Sequence, residues 1–592
     1  MKNLFLDKGE NGFKIGQYSI KKTIIYIIGG LILSLIIIIV LSLIFSSPNY
    51  DKFGAYVSVP NSINLTYRTG NCLGYINNYW DDAKNSFLAA KAGLNTQRKK
   101  LPENHLENWG YGIEIGDCKE NEKLGIKQIV AYLARPSNSH SIYKNDSAEF
   151  HPPLNLYEEI WNDNGTVNKN NYWAYYVYQV VQNYKDYVNI YEVWNEPDYT
   201  RNYGVIDLWY KEPPNATDLS FWNSNIFEYI RILRVTYEVV KKYHPEAFVA
   251  TGGLGYDSFL DCIMRYSDNP DGGKITKKYP SYGGAYFDCH AFHKYPKYGT
   301  YDIQKKKNYN KIASDNFALN MMALKRNHEY IISKYGFDGK KYPQKIYICT
   351  ESGVDSTGQY GSDLIRRNFN LKAPLYAIEN DIKQLHYFVT ADGNKEGNGD
   401  YLPGISGKTK ENYQDLMKPS TKARLVLNHF NIYKMEFDNE RTQKLRKDLP
   451  ANVTGIVLKK KFEPDEGEFM CDYLYAIWVE CLENETNDTI EVELTFNVKY
   501  NKMDYFIKNS TFGKSGKVNI TNTPIFFYNI EKENSSNFKN LIVILIVFGI
   551  IGIGIRGFFA YKFLSKKFSA NIREFKEKNG LEKVVVFWTV KC

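Results

Sequence analysis

Two glutamates, Glu196 and Glu351, stand where a strand-forming sequence has no structural use for them. Each follows a run of β-branched and aromatic residues that reads as a buried strand, "NIYEVWNEPDY" from Asn189 and "KIYICTESG" from Lys345. Strand cores shun Asn, Glu and Pro, so these carboxylates are held out at strand ends. Two carboxylates that converge from different strands suit glycosidic bond cleavage. One protonates the leaving oxygen, and the other works on the opposite face of the sugar. A separation of about 5 Å makes the second group a nucleophile and the outcome retaining. Other chemistries find less support: there is no G-x-S-x-G elbow, no C-x-x-C and no H-E-x-x-H, so neither a serine nucleophile nor zinc is indicated, and no cofactor is expected.

The elements that must position these groups are legible in the alternation of short β-rich runs with longer amphipathic stretches, the sign of βα repeats around a parallel sheet. Eight strand candidates begin at Phe53, Asn95, Lys127, Val188, Phe248, Phe287, Lys345 and Lys383. Helical periods lie between most of them, as in "FEYIRILRVTYEVVKKY" and "FALNMMALKRNHEYIISKY". The pattern predicts a (β/α)8 TIM barrel over residues 50–415. An open doubly wound sheet would need a G-x-G-x-x-G after its first strand, and none is present. In a parallel barrel the working face is the C-terminal edge of the strands. Glu196 ends the fourth and Glu351 the seventh, so both reach one mouth. Further on, "TGIVLKKKF", "YLYAIWVEC", "DTIEVELTFNV" and "PIFFYNI" are strands with hardly any helical period between them, and predict a β-sandwich over residues 420–532.

Two apolar stretches frame these units. Ile24 to Phe45 carries no charge and is long enough to cross a hydrocarbon layer of about 30 Å, predicting an uncleaved anchor over residues 23–46. A second span is predicted over residues 540–561, with Arg556 snorkelling. Residues 1–22 have net charge +3 and residues 556–592 net charge +6, which places the N-terminus and the basic tail 562–592 in the cytoplasm and the remainder outside or in a lumen. The total of +9 then leaves residues 23–555 formally neutral, poor support for a nucleic-acid partner. The N-x-[ST] acceptors, from Asn64 to Asn534, all fall between the two stretches. Seven of the eight cysteines lie there too. Cys471 and Cys481 flank a single strand and are too far apart to bridge.

The motifs also match a known group. "VWNEPD" resembles the fourth-strand motif of clan A glycoside hydrolases, and "IYICTESG" their seventh-strand motif. The segment "DCHAFHKYP" resembles the D-x-x-x-x-H-x-Y pattern of glycoside hydrolase family 39. The resemblance covers roughly residues 50–530, because a β-sandwich also follows the barrel in that family. It implies Glu196 as general acid/base, Glu351 as nucleophile, Asn195 as a hydrogen-bond partner of the sugar, His293 and Tyr295 beside the nucleophile, and Arg98 as the second-strand arginine. It further implies an oligo- or polysaccharide substrate and β-xylosidase-like or related exo-activity, with endo action on a polysaccharide as the alternative. The chain departs from the clan at the eighth strand's end, where Tyr387 and Phe388 replace a common Trp, and after the nucleophile, where Ser352 and Gly353 replace a common aromatic.

Positive charge and hydrogen bonds from Arg98, Tyr295 and His293 are expected to keep Glu351 ionised. Glu196 must hold its proton until the leaving oxygen takes it, which an apolar setting against Trp194 or another aromatic would favour. The loop "ENHLENWGYGIEIGDCKE", with Trp109, Tyr111, Glu103, Glu107 and Glu114, offers aromatic faces and carboxylates for a subsite. His290 and His386 read as packing residues. The alternative to an enzyme is a catalytically silent barrel that binds glycan as a receptor or wall tether.

Overall fold

The computed structural model describes residues 68–72, 82–143, 150–392, 396–402 and 409–529, with positions 32 and 34 besides. Eight parallel strands close into a barrel: β1 (Arg68–Cys72), β2 (Thr96–Lys100), β3 (Ile129–Leu133), β4 (Val188–Val193), β5 (Phe248–Ala250), β6 (Cys289–Lys294), β7 (Ile346–Ser352) and β8 (Ile382–Tyr387). β1 pairs with both β2 and β8, which completes the circle. Seven of the eight expected strands are present at their expected places. The first is corrected: its position is taken by "RTGNC", whereas the run from Phe53 lies outside the described residues.

Alternation along the strands decides what each face does. Val130, Ile190, Phe248, Ala250, Cys289, Ala291 and Ile348 point inward and form a small apolar plug inside the barrel. The intervening residues, such as Tyr191, Val193 and Val249, point outward into a larger core with the surrounding helices. Those helices carry their own start signals: Asn171, Asn225 and Ser362 each accept a backbone N–H of the first turn from their side chains.

The C-terminal strands correct a second expectation. In place of a two-sheet sandwich there is one continuous six-stranded antiparallel sheet, built from Met435–Phe437, Val453–Lys460, Tyr473–Val479, Ile490–Met503, Asn509–Ile520 and Ile525–Tyr528. The strand Ile490–Met503 is 14 residues long, and only its last part pairs with Ile525–Tyr528. Its ladder with Asn509–Ile520 is irregular between Thr495 and Tyr500, where the hairpin bends. Beyond the bend Val492, Leu494 and Phe496 join Val457, Ile477 and Phe527 in a core of their own. Period-two patterning reports inward and outward faces, and a folded-over sheet has the same alternation as a sandwich.

The opposite face of that sheet packs on the barrel. Ile456, Leu474, Trp478 and Phe526 share a core with Phe317 and Met321 of helix Ser314–Lys334 and with Leu371 and Tyr376 of helix Asp363–Glu379. A buried carboxylate fixes the contact. Asp315 accepts from Lys372 Nζ (2.6 Å), Tyr376 (3.1 Å), Trp478 Nε1 (2.8 Å) and the Cys481 amide (2.8 Å), so its four bonds join two barrel helices to the sheet. Cys118, Cys262, Cys289, Cys349, Cys471 and Cys481 are buried free thiols. The two expected membrane spans and both cytoplasmic ends lie outside the described residues, positions 32 and 34 excepted, and among those described no helix is long and apolar enough to cross a membrane.

Candidate active site

At the C-terminal edge of the barrel the inward positions change from apolar to polar. Arg98 on β2, Glu192 on β4, His293 on β6 and Thr350 on β7 are all buried there. A buried charge must be paired and hydrogen-bonded, and these groups satisfy one another. Arg98 donates through Nε to Glu192, through Nη1 to Glu351 (2.6 Å) and through Nη2 to Asn195 (2.9 Å), while its guanidinium lies 4.7 Å from the centre of the Tyr132 ring.

Local backbone devices bring the two carboxylates into this layer. On β7 an irregularity sets Cys349, Thr350 and Glu351 against only Phe292 and His293 of β6. An extra residue of this kind re-aims a side chain, so adjacent residues, Thr350 and Glu351, both reach the mouth. After β4 the chain turns through left-handed conformations at Trp194 (φ +74°) and Glu196 (φ +46°), rare for residues with side chains. The turn is held by the Glu196 amide donating to the Gly252 carbonyl (2.6 Å). Gly252 and Gly253 at the end of β5 leave room for it: a Cβ on Gly252 would sit 2.4 Å from the Val193 carbonyl, and one on Gly253 2.2 Å from His293 Nε2.

The result is a facing pair. An oxygen of Glu196, a ring nitrogen of His293 and an oxygen of Glu351 all lie within 4.8 Å of one another. Glu351 has both oxygens engaged, one by Arg98 and the other by the Tyr295 hydroxyl (2.7 Å). Burial raises its pKa, but the charges of His293 and Arg98 and the Tyr295 hydrogen bond outweigh that and hold it below the ordinary glutamate value. Glu196 meets His293 Nδ1 at 2.8 Å. Burial would lower the imidazole pKa, yet the carboxylates of Glu351 and Glu196 raise it overall.

The hydrogen bonds around His293 have a direction. Thr350 donates its hydroxyl hydrogen to Glu192 (2.8 Å), so its oxygen is an acceptor for His293 Nε2 (3.1 Å). With Nε2 as donor, Nδ1 of a neutral imidazole carries the lone pair toward Glu196. One proton then lies between the two groups, on the carboxyl or on the ring. A continuous chain of hydrogen bonds, Glu351–Arg98–Glu192–Thr350–His293–Glu196, thus joins the two facing carboxylates.

The structure brings together Glu196, Glu351, Asn195, Arg98, His293 and Tyr295, all singled out in the sequence. One expected detail is corrected: the Trp194 ring does not shelter the Glu196 carboxyl but packs in the outer core with Trp173 and Trp222. At the eighth strand Tyr387 is buried beneath the Arg424 guanidinium, and Phe388 is the ring that meets Tyr295, 6.3 Å between centroids. The expected loop after β2 is corrected: the chain there forms the helices Glu103–Trp109 and Ile115–Lys123. Glu103 accepts from His140 (2.8 Å) and the Ser137 amide (2.9 Å), and Glu114 accepts from Lys99 (2.7 Å), so these two carboxylates are structural, while Trp109 stays exposed. His290 and His386 are buried. Among the described residues two groups could geometrically hold a cation, Glu196–His293–Glu351 and Glu103–Glu107–His140. In the first, Arg98 already supplies positive charge to Glu351; in the second, His140 Nδ1 lies between the two carboxylates, 2.8 and 3.5 Å away.

Sequence reasoning missed Glu192, Thr350 and Asp198. Glu192 carried a signal: it is a charge two residues after Ile190 in a buried strand, hence on the same inward face. Asp198 lies behind Glu196, accepting from the Gly255 (2.7 Å) and Tyr256 (2.8 Å) amides, and burial pushes its pKa up to about 7.

No protein-family model and no curated protein matches the chain. Among solved structures it is similar to a family 39 glycoside hydrolase from Bacteroides cellulosilyticus WH2, at 17% identity over 78% of this chain and 81% of that one, with a TM-score of 0.49. It is also similar to a family 30 subfamily 8 xylanase from Clostridium acetobutylicum, at 12% identity over 78% and 96% with a TM-score of 0.43, and to a family 51 α-L-arabinofuranosidase from Bifidobacterium longum, at 8% identity over 80% and 97% with a TM-score of 0.42. At such identities and scores these likenesses bear on neither activity nor substrate, which must be read from the side chains.

Proposed function

We propose that the chain is a retaining glycoside hydrolase working by double displacement. The observation that carries the reading is the facing pair, Glu196 and Glu351, within 4.8 Å at one barrel mouth. That spacing suits a nucleophile, whereas an inverting enzyme needs carboxyl groups about 6.5–9.5 Å apart to admit a water.

In the first step a Glu351 oxygen bonds to the anomeric carbon as the bond to the leaving oxygen breaks. That oxygen takes the proton held between Glu196 and His293. A glycosyl ester on Glu351 results. In the second step Glu196, now a base, removes a proton from water, the hydroxyl bonds to the anomeric carbon, and Glu351 leaves as a carboxylate. Arg98 and Tyr295 hold the nucleophile ionised and in place. Asn195, with its carbonyl oxygen engaged by Arg98, presents its amide nitrogen to the sugar.

The finer parts of the proposal rest on sequence. β-Xylosidase-like action follows from the motif resemblance, and a membrane-anchored enzyme facing outward follows from the two apolar stretches and their positive flanks. The test is a panel of aryl glycosides incubated with the full chain and with its Glu351→Gln variant. Release of aglycone by the first and not the second is expected. Binding of glycans without release from any substrate would leave a glycan receptor in place of an enzyme.

A further inference from the structure

From Glu196 a cleft of about 770 Å³ runs outward over the ends of β4, β5 and β6. Its lining includes Glu196 and His293 but not Glu351, Arg98 or Asn195. Since the acid stands on the leaving group's side of the anomeric carbon and the nucleophile on the other, the cleft lies where the leaving group must go.

We infer that this cleft binds the leaving group and is shaped for a neutral oligosaccharide several rings long, so that the enzyme cuts within or near the ends of longer glycans more efficiently than it releases small aglycones. The inference rests on the hydrolase reading above and extends it. Seven tyrosines line the cleft, with Asp207, Asn327 and Lys294 among them. A tyrosine offers a flat apolar face and a hydroxyl at its rim, matching a sugar ring's C–H face and its equatorial hydroxyls. A lipid or aryl group would leave the polar partners unmet. Beyond the acid itself and the buried Asp198, the cleft carries Asp207 and Asp257 against one lysine, Lys294, which disfavours an anionic glycan. The volume lies in the upper part of the roughly 300–1,000 Å³ range that encloses ligands of several rings.

The platforms are exposed yet held on anchored backbone. Tyr203, Tyr298 and Tyr301 are 66%, 63% and 50% exposed. The segment Tyr203–Tyr210 is tied down by Arg265, which donates to the carbonyls of Trp209 and Tyr210 at 2.7 Å, and by the buried Trp209 ring. Asn320 donates to the Tyr298 carbonyl (3.0 Å) and Asn327 to that of Tyr301 (2.8 Å), while Asp302 of the short hairpin Thr300–Asp302/Lys307–Tyr309 accepts from Arg326 (2.6 Å). Backbone held in this way loses little freedom on binding.

The full chain is assayed on xylo-, cello-, manno- and β-1,3-gluco-oligosaccharides from disaccharide to hexasaccharide, with oligogalacturonides and hyaluronan fragments as the acidic set. For the accepted sugar kcat/KM is expected to rise by about tenfold or more with length on the reducing side. Tyr203→Ala and Tyr298→Ala are expected to remove up to about tenfold each of that gain. The Glu351→Gln full chain, titrated calorimetrically with the same sugars, gives a readout that does not need turnover. Binding that depends on Tyr203 and Tyr298 without cleavage in the wild type would uphold the cleft and sink the hydrolase. Cleavage of aryl glycosides with no dependence on length, no binding of any neutral hexasaccharide, or preference for the acidic set would overturn the inference.

Discussion

The two halves of the barrel mouth are built differently. On the β2–β7–β8 side Glu351 is 12% exposed, with each oxygen held by a separate donor and one of those donors, Arg98, locked in turn by Glu192. On the β4–β5–β6 side Glu196 is 22% exposed, its carboxyl is bonded to one imidazole, and it opens on a wide cleft. The contrast suits the proposed mechanism, in which a group that stays ionised and strikes from one direction is best immobilised. A group that gives and takes back a proton for leaving groups of several shapes needs one adjustable partner and room.

Exchanging either carboxylate for its amide breaks the comparison most sharply. Glu351→Gln should cost about 10⁴-fold or more in kcat whatever the leaving group. Glu196→Gln should cost roughly 10²- to 10⁴-fold on alkyl or sugar leaving groups and far less on a nitrophenyl group, which departs without a proton. Steady-state rates on matched substrates check both, and equal losses on the two leaving groups for Glu196→Gln would remove it from the acid role.

A smaller effect is expected at Thr350, which touches neither reacting atom and acts by fixing which nitrogen of His293 donates. The acid limb of kcat/KM should lie below the ordinary glutamate value of about 4.3, following the lowered Glu351, and the basic limb above about 6.5, following the raised His293. Losing the acceptor at Nε2 should weaken the protonated ring by about 1 kcal/mol, so Thr350→Val should draw the basic limb down by roughly a pH unit or less, and Thr350→Ser should restore it. Nitrogen-15 spectra of labelled histidine should show His293 protonated at Nε2 in the wild type and mixed between nitrogens in the valine variant. An unchanged spectrum would dismiss Thr350 as the orienting group.

The smallest effect concerns stability on the open side. The Asp198 pKa is raised to about 7 by burial, so its ionised form is disfavoured in the fold and its contribution to stability declines as pH climbs from about 4 through 7. Asp198→Asn can keep the two backbone bonds through its carbonyl oxygen without that slope. Thermal midpoints at about pH 5 and pH 8 should therefore diverge for the wild type more than for the variant, and parallel curves would refute the assignment.

Much of this was legible in the sequence because it lives in local pattern. Short strand-like runs alternating with helical periods marked seven barrel strands, and the misfit of Glu196 and Glu351 at the ends of such runs marked the pair. β1 escaped because "RTGNC" has no apolar run and becomes a strand only by pairing with two neighbours. Thr350 lies two residues after the inward Ile348 and is inward by plain alternation, but an uncharged Thr in a strand gives no signal; the irregularity that brings Glu351 in beside it is a matter of register between strands. The tyrosine cleft is assembled from three separate loops, none of which looks unusual alone.

The carboxylate of Asp315, pinned between Lys372, Tyr376, Trp478 and the Cys481 amide, bears on how the molecule can be divided. A fragment cut near residue 430 would strip that anion of half its donors and bare the apolar flank of two helices to solvent, inviting aggregation. Any fragment meant to fold as a unit should accordingly extend at least to residue 529, and a lesion in the trailing sheet should abolish the proposed activity without touching its site.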